Sequence, residues 1–309
     1  MLHCNAAMQP IRRTGVSIAA CLNSLQRLPG ACSAANGAFM LIRVGYEITL
    51  GVNEATAMTA MLKVHPSRLA DLRTPQIVTT LPVLPAHDYI DSFGNICSRM
   101  TLQPGNTFFS CDLLVWDSGE PDRQVPDAVQ HDVADLPDDV LLYLLGSRYC
   151  DTDRMSALAW NLFGHLPPGW GRVQGIVEYA HKHMKYGYEF ADATRSAFEG
   201  HVQQVGVCRD FAHLAIALCR CMNIPARYCT GYLGDIGIAP TKTPMDFHAW
   251  FDVYLGGAWH VFDARHNQPR IGRILMARGR DATDTALTTT FGAVWLNGFT
   301  VFADELVAV

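Results

Sequence analysis

Long hydrophobic runs, a basic excess and ordered cysteine spacings are all missing from this sequence. No stretch approaches the roughly 18 uninterrupted apolar residues of a membrane-spanning helix, so no membrane span is expected. Lysine and arginine (24) fall short of aspartate and glutamate (29), giving a formal charge of -5. A surface built for nucleic acid is therefore not expected. The ten cysteines include no C-x-x-C pair, and the chain is far too long for a disulfide-stapled miniature. Free thiols in a reducing cytoplasm are the simplest account, and cytoplasmic localisation is the expectation. There is no internal repeat and no low-complexity tract. What is present is apolar material: 309 residues of which 49% are hydrophobic and 17% charged, enough for one large domain or two smaller ones.

Residues 1–39 faintly imitate a secretory signal, with Arg12 and Arg13 followed by Gly15 to Leu22. Asn23, Ser24, Gln26 and Arg27 interrupt the apolar stretch at the lower limit of a signal core. This segment reads as a disordered extension or an overlong gene start. From Met40 onward, short alternating runs begin at Leu41, Ala57, Gln76, Asn95 and Thr107, separated by turn clusters such as His65-Pro66-Ser67 and Gln103-Pro104-Gly105-Asn106. That punctuation predicts an antiparallel β-sandwich over residues 40–120. The stretch Asp117 to Asp139 holds three prolines and eight acidic residues with little periodicity, and reads as a linker. Beyond it the spacing becomes helical over Leu141–Leu145, Met155–Phe163 and Gly171–Met184.

The richest segment starts at Gly206. Phe211, Leu214, Ala215, Leu218, Cys219 and Met222 form a stripe of period 3.6, stopped by Asn223 and Pro225. Cys208 then stands at the start of a buried helix, where unpaired backbone N–H groups and the helix dipole favour an anion. A lowered thiol pKa is the expectation, with Gly206 keeping the approach open. Downstream, Phe247 to Leu255 alternates and is followed by Gly256-Gly257 and Ala258 to Asp263, a two-residue hairpin signal. Closing the hairpin on those glycines sets Tyr254 opposite Trp259 and Trp250 opposite Asp263. His248 and Asp263 become diagonal neighbours, about 7 Å apart at the backbone. A thiol, an imidazole and a carboxylate that orients it are the parts of a nucleophilic cysteine enzyme.

The stretch from about Gly171 to Arg265 resembles the transglutaminase-like superfamily. The resemblance rests on Gly206-Val-Cys208, Ile224-Pro-Ala-Arg227 with Gly231-Tyr232, His248-Ala-Trp250, and Trp259 through Asp263, in that order. It implies Cys208, His248 and Asp263 as catalytic residues. It also implies an α+β fold: an N-terminal antiparallel β-sandwich, then a transglutaminase/papain-like catalytic domain over 140–309, its Cys-bearing helix packed on an antiparallel sheet bearing His and Asp. Where family members often follow the aspartate with Pro-Thr, this chain has Ala264-Arg265-His266-Asn267, a form that resembles a bacterial subgroup together with Pro269 to Arg273 and Arg278 to Asp281.

The expected activity is acyl transfer on an amide of a peptide or protein substrate through a thioester, with hydrolysis as the default outcome. Transamidation of protein glutamine is the alternative within the family, and a catalytically idle interaction module is the alternative outside it. No cofactor is expected, and no acidic calcium loop is present. Tyr186, Tyr188, Gln203, Gln204 and Trp250 are candidates for an oxyanion donor or a cleft wall. Asp210 is read as a helix cap or a brake on thiol ionisation. His181 and His183 diverge on a helix and make a poor metal pair, Asp151 and Asp153 read as a helix start, and Gly234 to Met245 reads as a loop leading into His248.

Overall fold

The computed structural model describes residues 40–241 and 244–306. The expectation for residues 1–39 lies outside the described residues. Among those described, no helix is long and apolar enough to cross a membrane.

The first half is built from β1 (Met40–Val52), β2 (Thr56–Ala60), β3 (Thr79–Leu81), β4 (His87–Ile90), β5 (Ile96–Leu102) and β6 (Gly105–Asp117). β1 and β6 pair antiparallel along their whole length, from Met40 opposite Asp117 to Val52 opposite Gly105. Alternation drives this: Ile42, Val44, Tyr46, Ile48 and Leu50 are buried on one face of β1, as the period of two requires. Their partners in the core are Met58 on β2, Leu102 on β5 and Phe109 and Leu113 on β6. β4 was not expected from the sequence, because His87 to Ile90 forms an edge strand with every side chain exposed.

The second half opens with α1 (Asp138–Leu141), α2 (Thr152–Phe163) and α3 (Trp170–His183), close to the three helical stretches expected. A short strand β7 (Lys185–Tyr186), helix α4 (Ala197–Gln203) and strand β8 (Val205–Gly206) lead into α5 (Cys208–Cys221). α5 is buried at every position and ends as expected, with Asn223 in the left-handed region at φ 60. Against it lies a sheet of β9 (Ala226–Tyr232), β10 (His248–Leu255), β11 (Ala258–Phe262) and β12 (Ile274–Gly279), in the order β11-β10-β9-β12. Ala249, Phe251, Val253 and Leu255 enter the helical core from one face of β10. His248 and Trp250 are left for the other face.

Two expectations about boundaries change. The chain does not finish inside the catalytic half: β13 (Thr288–Thr290) pairs with β2, and β14 (Trp295–Leu306) pairs with β1. The sandwich is thus two four-stranded sheets, β14-β1-β6-β3 and β13-β2-β5-β4, each completed by a strand from beyond residue 280. An unpaired ladder edge on β1 is a row of unsatisfied N–H and C=O groups, and β14 supplies the partners. The acidic stretch 117–139 is also no loose linker. Ala128 carbonyl accepts from Trp170 N at 3.0 Å, Val129 carbonyl accepts from Gly256 N at 2.8 Å, and the Gln130 amide donates to Met222 carbonyl at 2.9 Å. Its low apolar periodicity reflects fixation by these hydrogen bonds together with a few irregularly spaced apolar side chains, Val125, Ala128 and Leu136.

Candidate active site

The hairpin closes as its sequence requires. Gly256 and Gly257 both have positive φ, 57 and 81, the conformation of a type I′ turn that side chains resist. Leu255 pairs with Ala258, Tyr254 with Trp259 and Asp252 with Val261. Continuing that register puts Asp263, one residue past β11, diagonal to His248, the first residue of β10. The side chains meet there: His248 Nε2 lies 2.8 Å from Asp263 Oδ2, and both groups are nearly inaccessible to water. With the carboxylate accepting, Nε2 carries the proton and Nδ1 is the free acceptor.

Asp263 is held from four directions. Oδ1 accepts the backbone N–H groups of Arg265 and His266 at 3.0 and 2.9 Å, and Oδ2 accepts from Arg273 Nη2 at 2.9 Å besides His248. Burial opposes ionisation, but the neighbouring His248 and Arg273 outweigh it and hold the carboxyl well below its usual range. Burial lowers the His248 imidazole, and Asp263 offsets this only in part.

Cys208 occupies the first position of α5, as expected, with Val207 as the preceding cap. Its sulfur accepts from the backbone N–H of Ala249, the residue after His248. The thiol end of the helix and the imidazole end of the strand are therefore tied together. Burial pushes the thiol up to about 12, with Asp246 adding to the rise and the Ala249 N–H opposing it. This reverses the expected fall. The helix N-terminus does favour a thiolate, but the side chain is 8% exposed, and removal from water dominates.

Gly206 has a different role from the one expected. A Cβ there would meet the Asp210 side chain at 2.7 Å, so the missing side chain makes room for Asp210 rather than for a ligand. Asp210 Oδ2 accepts from Val207 N at 3.0 Å and from Arg195 Nη1 at 3.0 Å, and Oδ1 from Arg209 Nη2 at 2.9 Å. It caps α5, and its charge slightly opposes Cys208 ionisation. Both expected roles hold.

The remaining candidates divide. Tyr186 and Tyr188 lie close enough to Cys208 for its charge to act on both, and their hydroxyls bond to each other. Arg265 stacks over the Tyr186 ring at 4.1 Å. Trp250 stacks near His248 with ring centroids 6.4 Å apart and is itself buried, a wall of the site. Gln203 and Gln204 are exposed at the end of α4: the Gln203 amide oxygen accepts from Arg195 Nε, and Gln204 forms the left-handed cap of the helix. Neither is among the groups that act on the Cys208 sulfur, which are Asp246, Ala249, Asp263 and Asp210.

His181 and His183 diverge as expected, toward Ala264 and His201 carbonyls respectively. Asp151 stands at the N-cap position of α2 without a side-chain cap bond, and its carboxylate accepts from Ser196 Oγ and Phe198 N instead. Of the loop leading into His248, residues 242–243 lie outside those described; Gly234 carbonyl accepts from Arg270 Nη2 at 2.8 Å.

His266 and Arg273 belong to the two stretches that resemble a bacterial subgroup, and the sequence gives neither of them a role. The His266 ring packs against His248 with centroids 4.9 Å apart and accepts from Arg270 Nη1. His248, Asp263 and His266 bring ligand-type atoms within 4.8 Å of one another. Three arginines crowd that trio: Arg270 faces both His266 nitrogens, Arg273 bonds Asp263 and Arg265 faces His266. Such surroundings repel a divalent cation. A cavity of about 340 Å³ adjoins Asp263, lined among others by Asp122, Trp170, Gln174, Phe262 and Asn267.

Residues 157–264, which span α5 and the His–Asp hairpin, match the family model described as the transglutaminase-like superfamily. Over 219 residues the chain is 28% identical to an uncharacterised protein of Mycobacterium leprae (strain TN), covering 68% of this chain and 77% of that one. It is similar in structure to a "Putative Cysteine Protease" from Cytophaga hutchinsonii, with a TM-score of 0.76 and 28% identity over 88% of this chain and 92% of the other. The chain thus carries a domain of the transglutaminase-like superfamily, within an architecture, β-sheets included, that it shares with the Cytophaga hutchinsonii protein.

Proposed function

We propose that this protein is a cysteine-dependent acyl-transfer enzyme that hydrolyses an amide in a peptide or protein substrate, with Cys208, His248 and Asp263 as its catalytic residues. The observation that carries the reading is the buried 2.8 Å bond from His248 Nε2 to Asp263. It presents Nδ1 as a base on the strand whose next N–H touches the Cys208 sulfur. The family of residues 157–264 and the protease description of the similar Cytophaga hutchinsonii protein support the same class of chemistry.

In the proposed reaction His248 Nδ1 takes the thiol proton as the sulfur attacks the amide carbon. The C–N bond breaks, the amine leaves with that proton, and the acyl group remains as a thioester. Water then attacks the thioester carbon and gives a proton to His248; the C–S bond breaks, the acid leaves, and His248 returns that proton to the Cys208 sulfur. Tyr186 and Tyr188 are the proposed hydroxyl donors to the developing oxyanion.

The test is mass-spectrometric profiling of peptide and protein mixtures with the wild type beside Cys208→Ala, reading hydrolysed and amine-linked products. Cys208-dependent cleavage supports the reading. Amine-linked products in place of cleavage would convert it to transamidation, and identical profiles for the two proteins would refute it.

A further inference from the structure

The guanidinium of Arg273 joins parts of the chain that the sequence keeps far apart. Nη2 donates to Asp263 Oδ2 at 2.9 Å, while Nε faces both oxygens of Asp122 at 3.0 and 2.9 Å. Asp122 belongs to the acidic stretch between the two halves, and that stretch is locked in place. Asp122 N donates to Arg270 carbonyl at 2.9 Å, and Arg270 N donates to Asp122 Oδ2 at 2.9 Å. Arg273 carbonyl accepts Arg68 Nη1 at 2.8 Å. Arg68 also bonds Asp71 at 2.6 Å and Asp117, at the end of β6, at 3.3 Å. The Arg273 side chain is 7% exposed and its plane lies over Trp250, with 5.2 Å to the ring centroid.

We propose that Arg273, clamped by Asp122 and Arg68, is a positioning residue for the His248–Asp263 pair, and that through it the N-terminal β region is a working part of the site. A buried guanidinium needs charge partners and cannot lose its proton. Sharing it between two carboxylates fixes Asp263 from the side opposite its backbone donors, and so fixes the plane in which His248 is held. Removing either end of the clamp frees Asp263 to follow His248 instead of orienting it. The inference rests on the proposed catalytic role of that pair, but its first readout does not require catalysis.

The charged and titratable groups facing His248 are Asp263, Arg273 and Arg265 after β11, the neutral His266 ring, and Cys208 at the head of α5. Arg273 lowers the His248 imidazole, so its removal should raise it. The experiment is a ¹⁵N imidazole NMR titration of the full chain, with His248 assigned by His248→Gln, run on wild type, Arg273→Gln, Arg273→Lys and Asp122→Asn. Wild type should show an Nε2–H tautomer. Arg273→Gln should move the midpoint up by about one unit, Asp122→Asn, which leaves the whole cation to Asp263, should move it down by less, and Arg273→Lys should restore it. In parallel, acylation of Cys208 by p-nitrophenyl acetate should fall about tenfold or more in Arg273→Gln, as expected for a misplaced catalytic group.

A folded Arg273→Gln protein with an unchanged His248 midpoint and tautomer would overturn the proposal. Should Arg273→Gln fail to fold, an unchanged titration in Asp122→Asn would do so. Failure of the functional reading looks different: His248→Gln would acylate at the wild-type rate while the titrations still shifted with Arg273.

Discussion

Replacing Asp263 by asparagine keeps its shape and inverts its hydrogen-bond logic. The backbone N–H groups of Arg265 and His266 converge on Oδ1 at 3.0 and 2.9 Å, and two fixed donors will hold the amide oxygen there. The amide nitrogen then stands where Oδ2 was, 2.8 Å from His248 Nε2 and 2.9 Å from Arg273 Nη2. It must donate to the imidazole, so the ring proton moves to Nδ1, the nitrogen that has to accept the thiol proton. The comparable substitution in serine-protease triads lowers turnover about 10⁴-fold, about 5.4 kcal/mol at 1.36 kcal/mol per decade. Opposed donors at Arg273 add a stability cost of about 3 kcal/mol, the low end for breaking a buried ion pair, because Asp122 still partners the guanidinium. Stopped acylation with p-nitrophenyl acetate, read as a mass increase on Cys208, measures the first quantity, and urea unfolding measures the second. Acylation within tenfold of wild type in a protein of unchanged stability would show that Asp263 does not set the tautomer.

Cys208→Ala should stay folded and lose Cys-dependent acyl transfer by about 10³-fold or more; unchanged turnover would refute the nucleophile. Because burial holds the Cys208 thiol at about 12, iodoacetamide labelling should be negligible at pH 6 and rise about tenfold per pH unit between 7 and 10. A labelling plateau between pH 6 and 8 would instead reveal a preformed thiolate–imidazolium pair.

Stability should decline with acid from about pH 6.5 downward. His266 is held to about 3 and His65 to about 4, in both cases chiefly by burial, and the unfolded chain binds those protons first. The contribution of the depressed Asp263 carboxyl persists until pH falls below about 4 and is then lost. Urea midpoints from pH 7.5 to 3.5 check this, and a flat profile down to pH 4.5 would contradict it.

The hairpin was legible because two adjacent glycines fix a register, and a register fixes which side chains share a face. That suffices to place His248 beside Asp263 from the sequence alone. The start of α5 at Cys208 and its stop at Asn223 were legible for a similar reason, since stripe and cap are local signals. β14 was not. Its pairing with β1 joins residues more than 240 positions apart, and nothing in either strand names the other. Arg273 was hidden in the same way: an arginine four residues past Pro269 carries no local mark of two carboxylate partners, one of them 151 positions earlier. The acidic stretch is illegible because low apolar periodicity looks the same in a loose linker and in a segment held, like this one, by its backbone carbonyls and Asp122.

The thiol is where two correct principles pulled in opposite directions. The helix N-terminus and the Ala249 N–H favour a thiolate, worth about 0.3–2 kcal/mol for the dipole. Burial beside Asp246, Asp263 and Asp210 disfavours it by more, and His248, lowered by burial, is a weaker base than in water. Both shifts favour the neutral thiol and neutral imidazole at rest. Charge must then be created during attack, as the proton crosses to Nδ1 and the sulfur bonds to carbon. Asp263 and Asp122 have opposite parts in this. Asp263 stabilises the imidazolium as it forms, while Asp122 draws on Arg273, so that the cation beside the ring does not cancel that stabilisation. A buried carboxylate that orients a base can be left unneutralised only at a cost to folding, and the second carboxylate is what lets Arg273 neutralise Asp263 in part. On this reasoning, a protein that keeps the thiol, imidazole and Asp263 but loses the acidic stretch would retain the constellation and lose its tuning.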